Sequence, residues 1–584
     1  MIERAPIAEP LPVDRRGEVD TDVLVIGTGF GGAIAAARLA EVFGPRVLVV
    51  ERGREVLPGE FPETLGAVAA EVRAPANPLG QFDVRLGRDL HVVGANGLGG
   101  GSLHYAGVTL PPADSVFEER DPATGRRYWP VAVTGPALKE HYARVRSMLS
   151  VETWIDASDV RRGGPATPPD LLPGSPVAAE AAEPGNGQSR DLFGRVAAER
   201  TPLPKGEVVR EFAERLGVPC YRPPLAINLT AVGDGACNAH GVVCGLCTHC
   251  GKCVSGCNFG AMNSLTTNYL PYAQSRGARV CVGVEVLRVR PGRRRRWMVD
   301  AVHRTVNGRH PRARRIRLHA DIVVVAAGAA GSTELLLHSR CRSLPLSPAL
   351  GTRVSGNGDA LAVSFDGARE LGVIEPSSET PPPGPTITLT VDIAGARCRS
   401  LVQDGGFPPL LLPRVGRALA MLGGKWRKAF NADLANDALA RSQVWLAMGT
   451  DAAAGRADLD RRGRLRIHWP DVNTAPDQRQ REAWLEQLIR FQGADPLLTT
   501  PDKRRAASRA ALTVHPLGGC PMSDDPRYGV VDAAGRVYGP RGTVHPGLYV
   551  VDGSVCATSL GVNPSLGIAA IAEHALGLAL ADLR

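Results

Sequence analysis

One short stretch near the start of the chain constrains the fold more than any other. DTDVLVIGTGFGG contains an apolar strand and then Gly27-x-Gly29-x-x-Gly32, and an alanine-rich helix leads on to a second buried strand ending at Glu51. In such units the glycines allow a tight turn, close approach of the backbone to a pyrophosphate and close packing of helix on strand. The free N–H groups at the helix N-terminus favour the phosphates. The stretch therefore predicts a Rossmann-like unit that binds a dinucleotide, with Glu51 on a ribose diol.

The motif alone does not distinguish FAD from NAD. No second complete unit of this kind follows, which argues against a reductase that binds both NAD(P)H and a flavin. Two further blocks are rich in small residues. GANGLGGGSLHYAGV (94–108) lets the backbone pass close to a flat ring system, and IVVVAAGAAGSTELLL (322–337) again predicts a buried strand, a turn and a helix.

The bulk composition is that of an ordinary globular protein with two or more domains. The chain has 584 residues, of which 44% are hydrophobic and 22% charged. Its net charge of +9 comes largely from arginine, with rich patches at 292–297 and 309–317. Both patches flank a strand-like segment, so we predict solvated hairpin ends, and no recognition motif supports nucleic-acid binding. We also expect no membrane span and, because the first twenty residues contain no apolar signal core, a cytoplasmic protein.

A dense run of cysteines, CGLCTHCGKCVSGC, stands near the middle of the chain. The spacing Cys247-x2-Cys250-x2-Cys253-x3-Cys257 matches the ligand run of bacterial ferredoxins. An asparagine replaces the proline that follows in that pattern, and a second run is missing from the sequence. Zinc is disfavoured because paired CxxC knuckles need an intervening loop. From the residues alone, an iron–sulfur cluster and a compact structural loop are both open.

The C-terminal blocks VHPLGGCPM (514–522) and GVNPSLGIAAIAEHAL (561–576) complete a familiar order of motifs. Together with the blocks above, they resemble the glucose–methanol–choline (GMC) oxidoreductases over most of the chain. GLGGGSL, the cysteine run, SGNGD (355–359) and Asn563-Pro564 are most similar to the cholesterol oxidase branch. The resemblance implies an α/β fold, in which a Rossmann-like FAD-binding domain of GMC type is interleaved with an α+β substrate domain on a mainly antiparallel sheet.

The resemblance also implies FAD as the cofactor. It assigns the pyrophosphate to the N-terminal glycines, the adenosine ribose to Glu51, the adenine to Val286 and the flavin to the loop from Asn96 to Ser102. His104 stands where some members attach the flavin covalently, and both a covalent bond and simple packing are open. The residues implied to contact FAD are Gly27, Gly29, Phe30, Gly31, Gly32, Glu51, Asn96, Gly97, Gly99, Gly100, Gly101, Ser102, His104, Val286, Ala327, Gly328, Asp552, Gly553, Asn563 and Pro564.

His515 and Asn563 match the catalytic histidine and asparagine of the family. Oxidising an alcohol moves a proton to a base, a role that suits histidine, and a hydride to flavin N5. The resemblance implies oxidation of a secondary alcohol on a bulky apolar molecule, first a 3β-hydroxysterol, with molecular oxygen as acceptor. The resemblance favours a structural cysteine loop without metal. Cholesterol oxidase-like relatives with a similar cysteine-rich sequence at this point resemble enzymes that use FAD alone.

Two other functions are open at this point. One is a dehydrogenase of the same fold that passes electrons through a cluster on the cysteine run to a quinone or haem partner. The other is a non-catalytic flavin- or sterol-binding protein. Retention of His515 and Asn563 argues against the second.

The resemblance predicts domains assembled from separated segments. An N-terminal extension is expected at 1–17. The FAD-binding domain is expected to consist of three segments, at 18–115, 225–345 and 505–584. The substrate domain is expected to consist of two, at 116–224 and 346–504. The stretch 161–190, rich in Pro, Gly, Ala and Ser, predicts a flexible lid. The stretch 406–430 is apolar with basic residues, which is typical of a core-facing helix with a basic outer face or of a helix that contacts a membrane surface.

Overall fold

A computed structural model of the chain describes residues 4–161, 200–230, 237–307, 310–373, 383–394, 399–406, 438–499 and 510–583. The expected lid at 161–190 and the apolar, basic stretch at 406–430 lie, apart from their first residues, outside the described residues.

The first sheet is mainly parallel and grows outward from the strand Val23–Ile26. All four residues of this strand are buried, because helices cover both faces of the sheet. Val25 pairs with Val49 on one side and with Val324 on the other. Across the sheet the strands are Arg536–Tyr538, Val544–Val550, Ile322–Val325, Val23–Ile26, Val47–Val50 and Arg279–Cys281. Only the first two of these pair antiparallel.

Long apolar helices cover this sheet. The helix Phe30–Phe43 packs between Tyr269–Ser275 and the C-terminal helix Ser565–Leu583, which also contacts Gly135–Met148. The C-terminal helix is long and apolar enough to cross a membrane, a feature not expected from the sequence. Two-thirds of its apolar window is nevertheless buried inside the fold, so its hydropathy is that of a core helix. The helix Gly328–Ser339 follows the neighbouring strand of the sheet.

The second sheet is antiparallel throughout. Its strands, in spatial order, are Asp495–Thr499, Ala360–Phe365, Gln443–Gly449, Arg399–Asp404, Thr390–Ala394 and Cys220–Tyr221. The helices Pro204–Leu216 and Pro476–Phe491 pack against it. The predicted fold class, a Rossmann-like unit with a second, mainly antiparallel sheet, is therefore confirmed.

A long hairpin accounts for the arginine patches. It consists of Val284–Pro291 and Trp297–Asn307, and His310–Ala320 continues the sheet beside the short strand Glu18–Asp20. The 292–297 patch lies at the turn, where Arg294 pairs with Asp20 at 2.6 Å and Arg295 with Asp321 at 2.5 Å. The prediction of a solvated hairpin end is confirmed there, and carboxylates pair with two of its four arginines, Arg294 and Arg295.

The other described elements are small. The remaining strands are Phe82–Arg85, Leu90–Ala95 and Ala511–Thr513, then Arg456–Leu459 with Leu465–His468, and Glu152–Thr153 with Pro224–Leu225. The remaining α-helices are Leu65–Ala70 and Ala157–Arg161. Short 3₁₀ helices occupy Gly44–Arg46, Gly100–Leu103, Asp114–Glu118, Cys253–Ser255, Leu265–Thr267, Pro540–Gly542 and Gly553–Val555.

A fully buried ion pair joins the helix Pro204–Leu216 to the antiparallel sheet. Lys205 Nζ lies 3.2 Å from Asp404 Oδ2 and also donates to the carbonyl oxygens of Pro385 and Thr386. Both side chains of the pair are completely enclosed. Burial lowers the pKa of Lys205, and the neighbouring Asp404 opposes that shift. The pair is therefore needed to keep either charge inside the protein.

Lys205→Met should lower the free energy of unfolding by about 3–5 kcal/mol, because it leaves Asp404 as an uncompensated buried charge. The matched control is Arg369→Met. Arg369 pairs with Glu211 of the same helix at 2.6 Å, but its side chain is 52% exposed. We expect this control to cost less than about 1 kcal/mol. Urea unfolding followed by tryptophan fluorescence measures both, and equal losses would contradict the role given to Lys205.

Candidate active site

The N-terminal glycines form a close-packed cradle. Gly27 has φ of +98°, and a Cβ on it would lie 2.3 Å from the Ala326 carbonyl oxygen. A Cβ on Gly32 would lie 2.0 Å from the carbonyl oxygen of Gly27, and one on Gly31 would lie 1.9 Å from that of Val551. Gly29 is different, because no atom lies within 4 Å of its Cβ position. Three glycines are thus required by packing, and the fourth borders open space at the helix N-terminus, which fits a pyrophosphate.

The expected ribose ligand, Glu51, is fixed beside this cradle. Its Oε2 accepts hydrogen bonds from the Thr28 N–H at 3.1 Å and the Thr28 hydroxyl at 2.6 Å, and its Oε1 accepts from the Gly53 N–H at 2.9 Å. Thr28 Oγ1 in turn accepts from the Gly99 N–H at 3.0 Å. Val284 donates to the Glu51 carbonyl at 2.8 Å, which brings the strand of Val286 to this edge. The carboxylate is therefore held where the βαβ unit places a ribose.

The second glycine-rich loop lies directly on the cradle. A Cβ on Gly100 would lie 2.8 Å from the Gly29 Cα, so the two backbones are in contact. Asn96 begins this loop, but its side chain faces the protein. Its Oδ1 accepts from Arg52 Nε at 2.7 Å, and its Nδ2 donates to the Gly80 carbonyl at 2.7 Å. Asn96 thus holds the loop in place, and the loop backbone is what meets the open space.

His104 lies at the end of this loop in an aromatic surrounding. Its ring centroid is 4.4 Å from that of Phe82 and 5.9 Å from that of Phe61. Burial lowers the pKa of His104 to about 4, so the ring is neutral at neutral pH. Covalent attachment of a flavin at this histidine stays a prediction. Nearby, Ser102 Oγ accepts from the Leu265 N–H at 3.0 Å and fixes the inner side of the loop.

Asp552 joins the second and third segments of the expected FAD domain. Its carboxylate accepts from the Gly328 N–H at 2.8 Å, the Ser332 hydroxyl at 2.5 Å and the Ser554 N–H at 2.8 Å. Burial raises the pKa of Asp552, and these hydrogen bonds oppose the shift. Asp552 also follows Val551, whose carbonyl contacts Gly31 of the cradle. Gly328, Asp552 and Gly553 are therefore brought next to the N-terminal glycines, as the resemblance implied.

His515 is held by a carboxylate that the sequence analysis did not identify. Its Nδ1 lies 2.9 Å from Asp359 Oδ1, and Asp359 Oδ2 accepts from the backbone N–H groups of Val514 and His515 at 2.9 and 3.2 Å. Thr513 donates to the same oxygen at 3.0 Å. Asp359 is buried. Because Nδ1 is engaged, Nε2 is the ring nitrogen left for a substrate, which is how a carboxylate orients a catalytic base.

Asn563 is held by an amide that was also missed. Asn563 Nδ2 donates to Gln403 Oε1 at 3.1 Å, and Gln403 Nε2 donates back to Asn563 Oδ1 at 2.8 Å. Gln403 Nε2 also donates to Thr390 Oγ1 at 3.1 Å. This reciprocal pair fixes which way the Asn563 amide points and leaves one N–H of Nδ2 for a substrate oxygen.

One short segment, residues 355–359, holds both sides of the candidate catalytic pair. Asp359 binds His515, whereas Asn357 Nδ2 donates to the Val562 carbonyl at 2.8 Å, next to Asn563. The strand Ala511–Thr513, which precedes His515, pairs in parallel with Leu90–Ala95, which precedes the glycine-rich loop. Parallel neighbours end at the same edge of a sheet, so His515 and the loop lie at one edge. The SGNGD motif drew attention to this segment in the sequence, but the motif does not indicate which residues its side chains hydrogen-bond.

The cysteine run surrounds a pocket. Cys247, Cys250, Cys253 and Cys257 all line it, and every described cysteine is a free thiol. Burial raises the pKa of Cys253 to about 11. Among the described residues, no group of three or more His, Cys, Asp or Glu is arranged for a single metal ion.

Comparison with known proteins agrees with this geometry. Two family models described as GMC oxidoreductase match residues 22–345 and 453–572. A cholesterol oxidase of Acinetobacter baumannii is 28% identical and covers 95% of this chain and 94% of its own. A cholesterol oxidase of Mycobacterium tuberculosis is 29% identical over 96% of this chain and 91% of its own. The structure of pyridoxine 4-oxidase from Mesorbium loti superposes with a TM-score of 0.58 at 18% identity, covering 95% of this chain and 98% of that one.

Gly29→Ala should weaken FAD binding at least about tenfold without unfolding the protein. The backbone at Gly29, with φ of −66° and ψ of −172°, accepts alanine, but the new methyl group enters the space that fits the pyrophosphate. A tenfold loss corresponds to about 1.4 kcal/mol. The control is Gly66→Ala, since Gly66 is an exposed helix residue with no neighbouring atom within 4 Å. Titration of apoprotein with FAD measures both, and equal affinities would contradict the assigned cradle.

Proposed function

The chain belongs to the GMC oxidoreductase family, and from this premise we propose that it oxidises an alcohol to a carbonyl compound with FAD as cofactor. The observation that carries the proposal is the paired fixation of His515 by Asp359 and of Asn563 by Gln403. The glycine cradle beside Glu51 fits the nucleotide half of FAD. A base, an orienting amide and a flavin-binding cradle are the parts that this reaction requires.

In the proposed mechanism, bound FAD supplies the hydride acceptor. His515 removes the hydroxyl proton of the alcohol at Nε2. The Asp359 carboxylate keeps Nδ1 protonated and stabilises the imidazolium that forms, because the two groups are within hydrogen-bond distance. The free N–H of Asn563 binds the substrate oxygen and orients the carbinol C–H, and Gln403 keeps the amide from rotating.

For the substrate we propose a secondary alcohol on a bulky apolar molecule, with a 3β-hydroxysterol first. The two cholesterol oxidases that share most of this chain support the choice. Next to Asn563, Val562 packs with Leu401 and Met448 of the antiparallel sheet in a buried apolar cluster, so the surroundings of this amide are apolar. We also propose, from the sequence alone, a cytoplasmic enzyme.

For the electron acceptor we propose molecular oxygen, since the two curated relatives are named oxidases. A second candidate is a dehydrogenase that passes single electrons to a quinone or haem partner. One observation favours it, namely that four cysteines with ferredoxin spacing line one pocket. The two candidates share the alcohol-oxidising step and differ only in where the electrons leave.

His515→Ala should keep bound FAD and lose about 10²–10⁴-fold in kcat, the usual contribution of a general base. Asp359→Asn should lose roughly 10²-fold, because its amide can donate to Nδ1 and leave Nε2 protonated. The control is Asp458→Asn, since Asp458 pairs with His468 at 3.3 Å on the exposed surface. Bleaching of the flavin by substrate without oxygen measures the step. Near-normal rates in His515→Ala would contradict the assignment.

The substrate and acceptor are tested with a panel of alcohols containing a 3β-hydroxysterol, its 3α epimer, a long-chain primary alcohol and a sugar. We expect the 3β-hydroxysterol to bleach the flavin fastest and to yield about one peroxide per ketone in air. Ketone without peroxide, accompanied by reduction of a one-electron dye, would favour the dehydrogenase. Holoprotein that no alcohol reduces would instead support the non-catalytic binding protein.

A further inference from the structure

A carboxylate that the mechanism above does not use is hydrogen-bonded to the segment 355–359. We propose that Asp451 is a positioning residue of the alcohol oxidation, which sets where His515 and Asn563 stand relative to each other through the two segments that hold them. The inference rests on the proposed function and deepens it, because it names the group that keeps the candidate catalytic pair in its working geometry.

The Asp451 side chain is the acceptor for a whole turn of the backbone. Its Oδ2 accepts hydrogen bonds from the Ser355 hydroxyl at 2.9 Å, the Gly356 N–H at 3.1 Å and the Gly358 N–H at 2.9 Å. The N–H of Asn357, which lies between them, donates to Ser355 Oγ at 2.9 Å and so reaches the carboxylate through that hydroxyl. Successive backbone N–H groups that curve around one anion form a nest, and removing the anion leaves these donors unpaired.

The backbone of this turn adopts a conformation that the carboxylate supports. Asn357 has φ of 55° and Gly358 has φ of 60°, so two consecutive residues are in the left-handed region. A side chain at position 358 is excluded, because a Cβ there would lie 2.4 Å from the Gly449 carbonyl oxygen. Left-handed backbone at a residue other than glycine is costly unless the surroundings compensate, and here the hydrogen bonds to Asp451 do so.

The turn contacts the supports of both members of the candidate catalytic pair. At its end, Asp359 binds the His515 ring. In its middle, the Asn357 side chain holds the backbone of residues 560–562, directly before Asn563. Asn357 and Asp359 are two residues apart, so a change in the dihedral angles of the turn moves them by different amounts. The shape of the turn therefore sets the separation between the imidazole and the amide.

Asp451 also contacts the C-terminal segment directly. Its backbone N–H donates to Ser559 Oγ at 2.8 Å, and the Ser559 hydroxyl donates back to the Asp451 carbonyl at 3.3 Å. The preceding residue packs on the same segment, because a Cβ on Gly561 would lie 3.3 Å from Thr450 Cγ2. The side chain of one residue thus holds the turn that binds His515, while its backbone holds the segment that leads to Asn563.

The charge of Asp451 is compensated inside the protein. Burial raises the pKa of its carboxyl group, whereas hydrogen bonds from neighbouring N–H and O–H groups and the positive charge of Arg481 oppose the shift. Arg481 is buried, belongs to the helix Pro476–Phe491 and donates to the Thr450 carbonyl at 3.0 Å. Three donors on one oxygen suit an ionised carboxylate, which only accepts hydrogen bonds. Asp451 is therefore a fixed anion around which the turn is built.

Asp451→Asn in the full-length, FAD-loaded protein should lower the rate of flavin bleaching at saturating alcohol by about ten- to a hundredfold, because a displacement of about 1 Å in a catalytic site costs on the order of a hundredfold. The amide has a single acceptor oxygen, so its NH2 group faces either the three donors on Oδ2 or the Ala453 N–H, which donates to Oδ1 at 2.8 Å. The alcohol concentration for half-maximal rate should change less than about twofold, since the lost interaction acts on the reacting geometry. An unchanged bleaching rate overturns the proposal.

The matched control is Asp460→Asn. Asp460 likewise accepts backbone N–H groups of a turn, those of Arg462 and Arg464 at 2.8 and 2.9 Å, but its side-chain hydrogen bonds run to residues 462–466 of its own hairpin. We expect this variant to be bleached at the unmodified rate, and equal losses in the two variants overturn the proposal. Ser355→Ala removes one donor and keeps the carboxylate, so it should slow bleaching about three- to tenfold. This milder variant decides where Asp451→Asn does not fold.

Crystal structures of the unmodified, Asp451→Asn and Asp460→Asn holoproteins separate this inference from the proposed function. They measure the distance between His515 Nε2 and Asn563 Nδ2 without any substrate. We expect it to change by at least about 0.5 Å in Asp451→Asn, which is the tolerance of a catalytic site, and to be the same in Asp460→Asn. An unchanged distance in Asp451→Asn overturns the inference even when alcohols bleach the flavin. If no alcohol bleaches the unmodified holoprotein, the proposed function fails, and a changed distance still supports the positioning by Asp451.

Discussion

The hydrogen bonds of residues 355–359 are the constraint on which the candidate active site depends. This segment enters the antiparallel sheet at Ala360, and it reaches both parts of the C-terminal region that carry the candidate catalytic pair. Asn357 accepts from the N–H groups of Leu560 and Gly561 at 3.0 and 2.9 Å, while Asp359 takes His515. Because the donors and acceptors are buried, leaving any of them unpaired is costly, so these bonds tie the candidate catalytic pair to the antiparallel sheet.

The parallel sheet brings that unit to the glycine cradle. Val324 pairs with Val25 on one side and with Tyr549 on the other. A strand from near the end of the chain is therefore separated by only one strand from the strand that precedes the glycine motif. The contact of Val551 with Gly31 then removes any room for a side chain at the cradle. Segments far apart in sequence thus meet at the carboxyl ends of the strands, where open α/β sheets bind their ligands.

The sequence was sufficient for features that depend on local order. The turn at Gly27, the buried strand before it and the acid after the second strand form one continuous unit, and the structure has it as predicted. Asp359 and Gln403 were not predicted, because each acts on a residue more than 150 positions away. A single sequence does not indicate which distant residues will hydrogen-bond to each other, because an acidic residue before a strand and a glutamine within a strand are both common. Asn96 is the opposite case. It was predicted to contact the flavin, but its side chain hydrogen-bonds to Arg52 and Gly80 of the protein.

Lys205 links the strand that fixes Asn563 to the pocket lined by the cysteine run. Its ammonium group is bound to Asp404, the residue after Gln403, and to the carbonyl oxygen of Thr386. Thr386 in turn donates a hydrogen bond to Cys253 through its backbone N–H. With Asp404 as its partner, this buried cation adds no net charge to the region on its own. The ion pair that secures the antiparallel sheet therefore stands one residue from Gln403, which fixes Asn563, so the stability of the sheet and the position of this amide depend on the same strand.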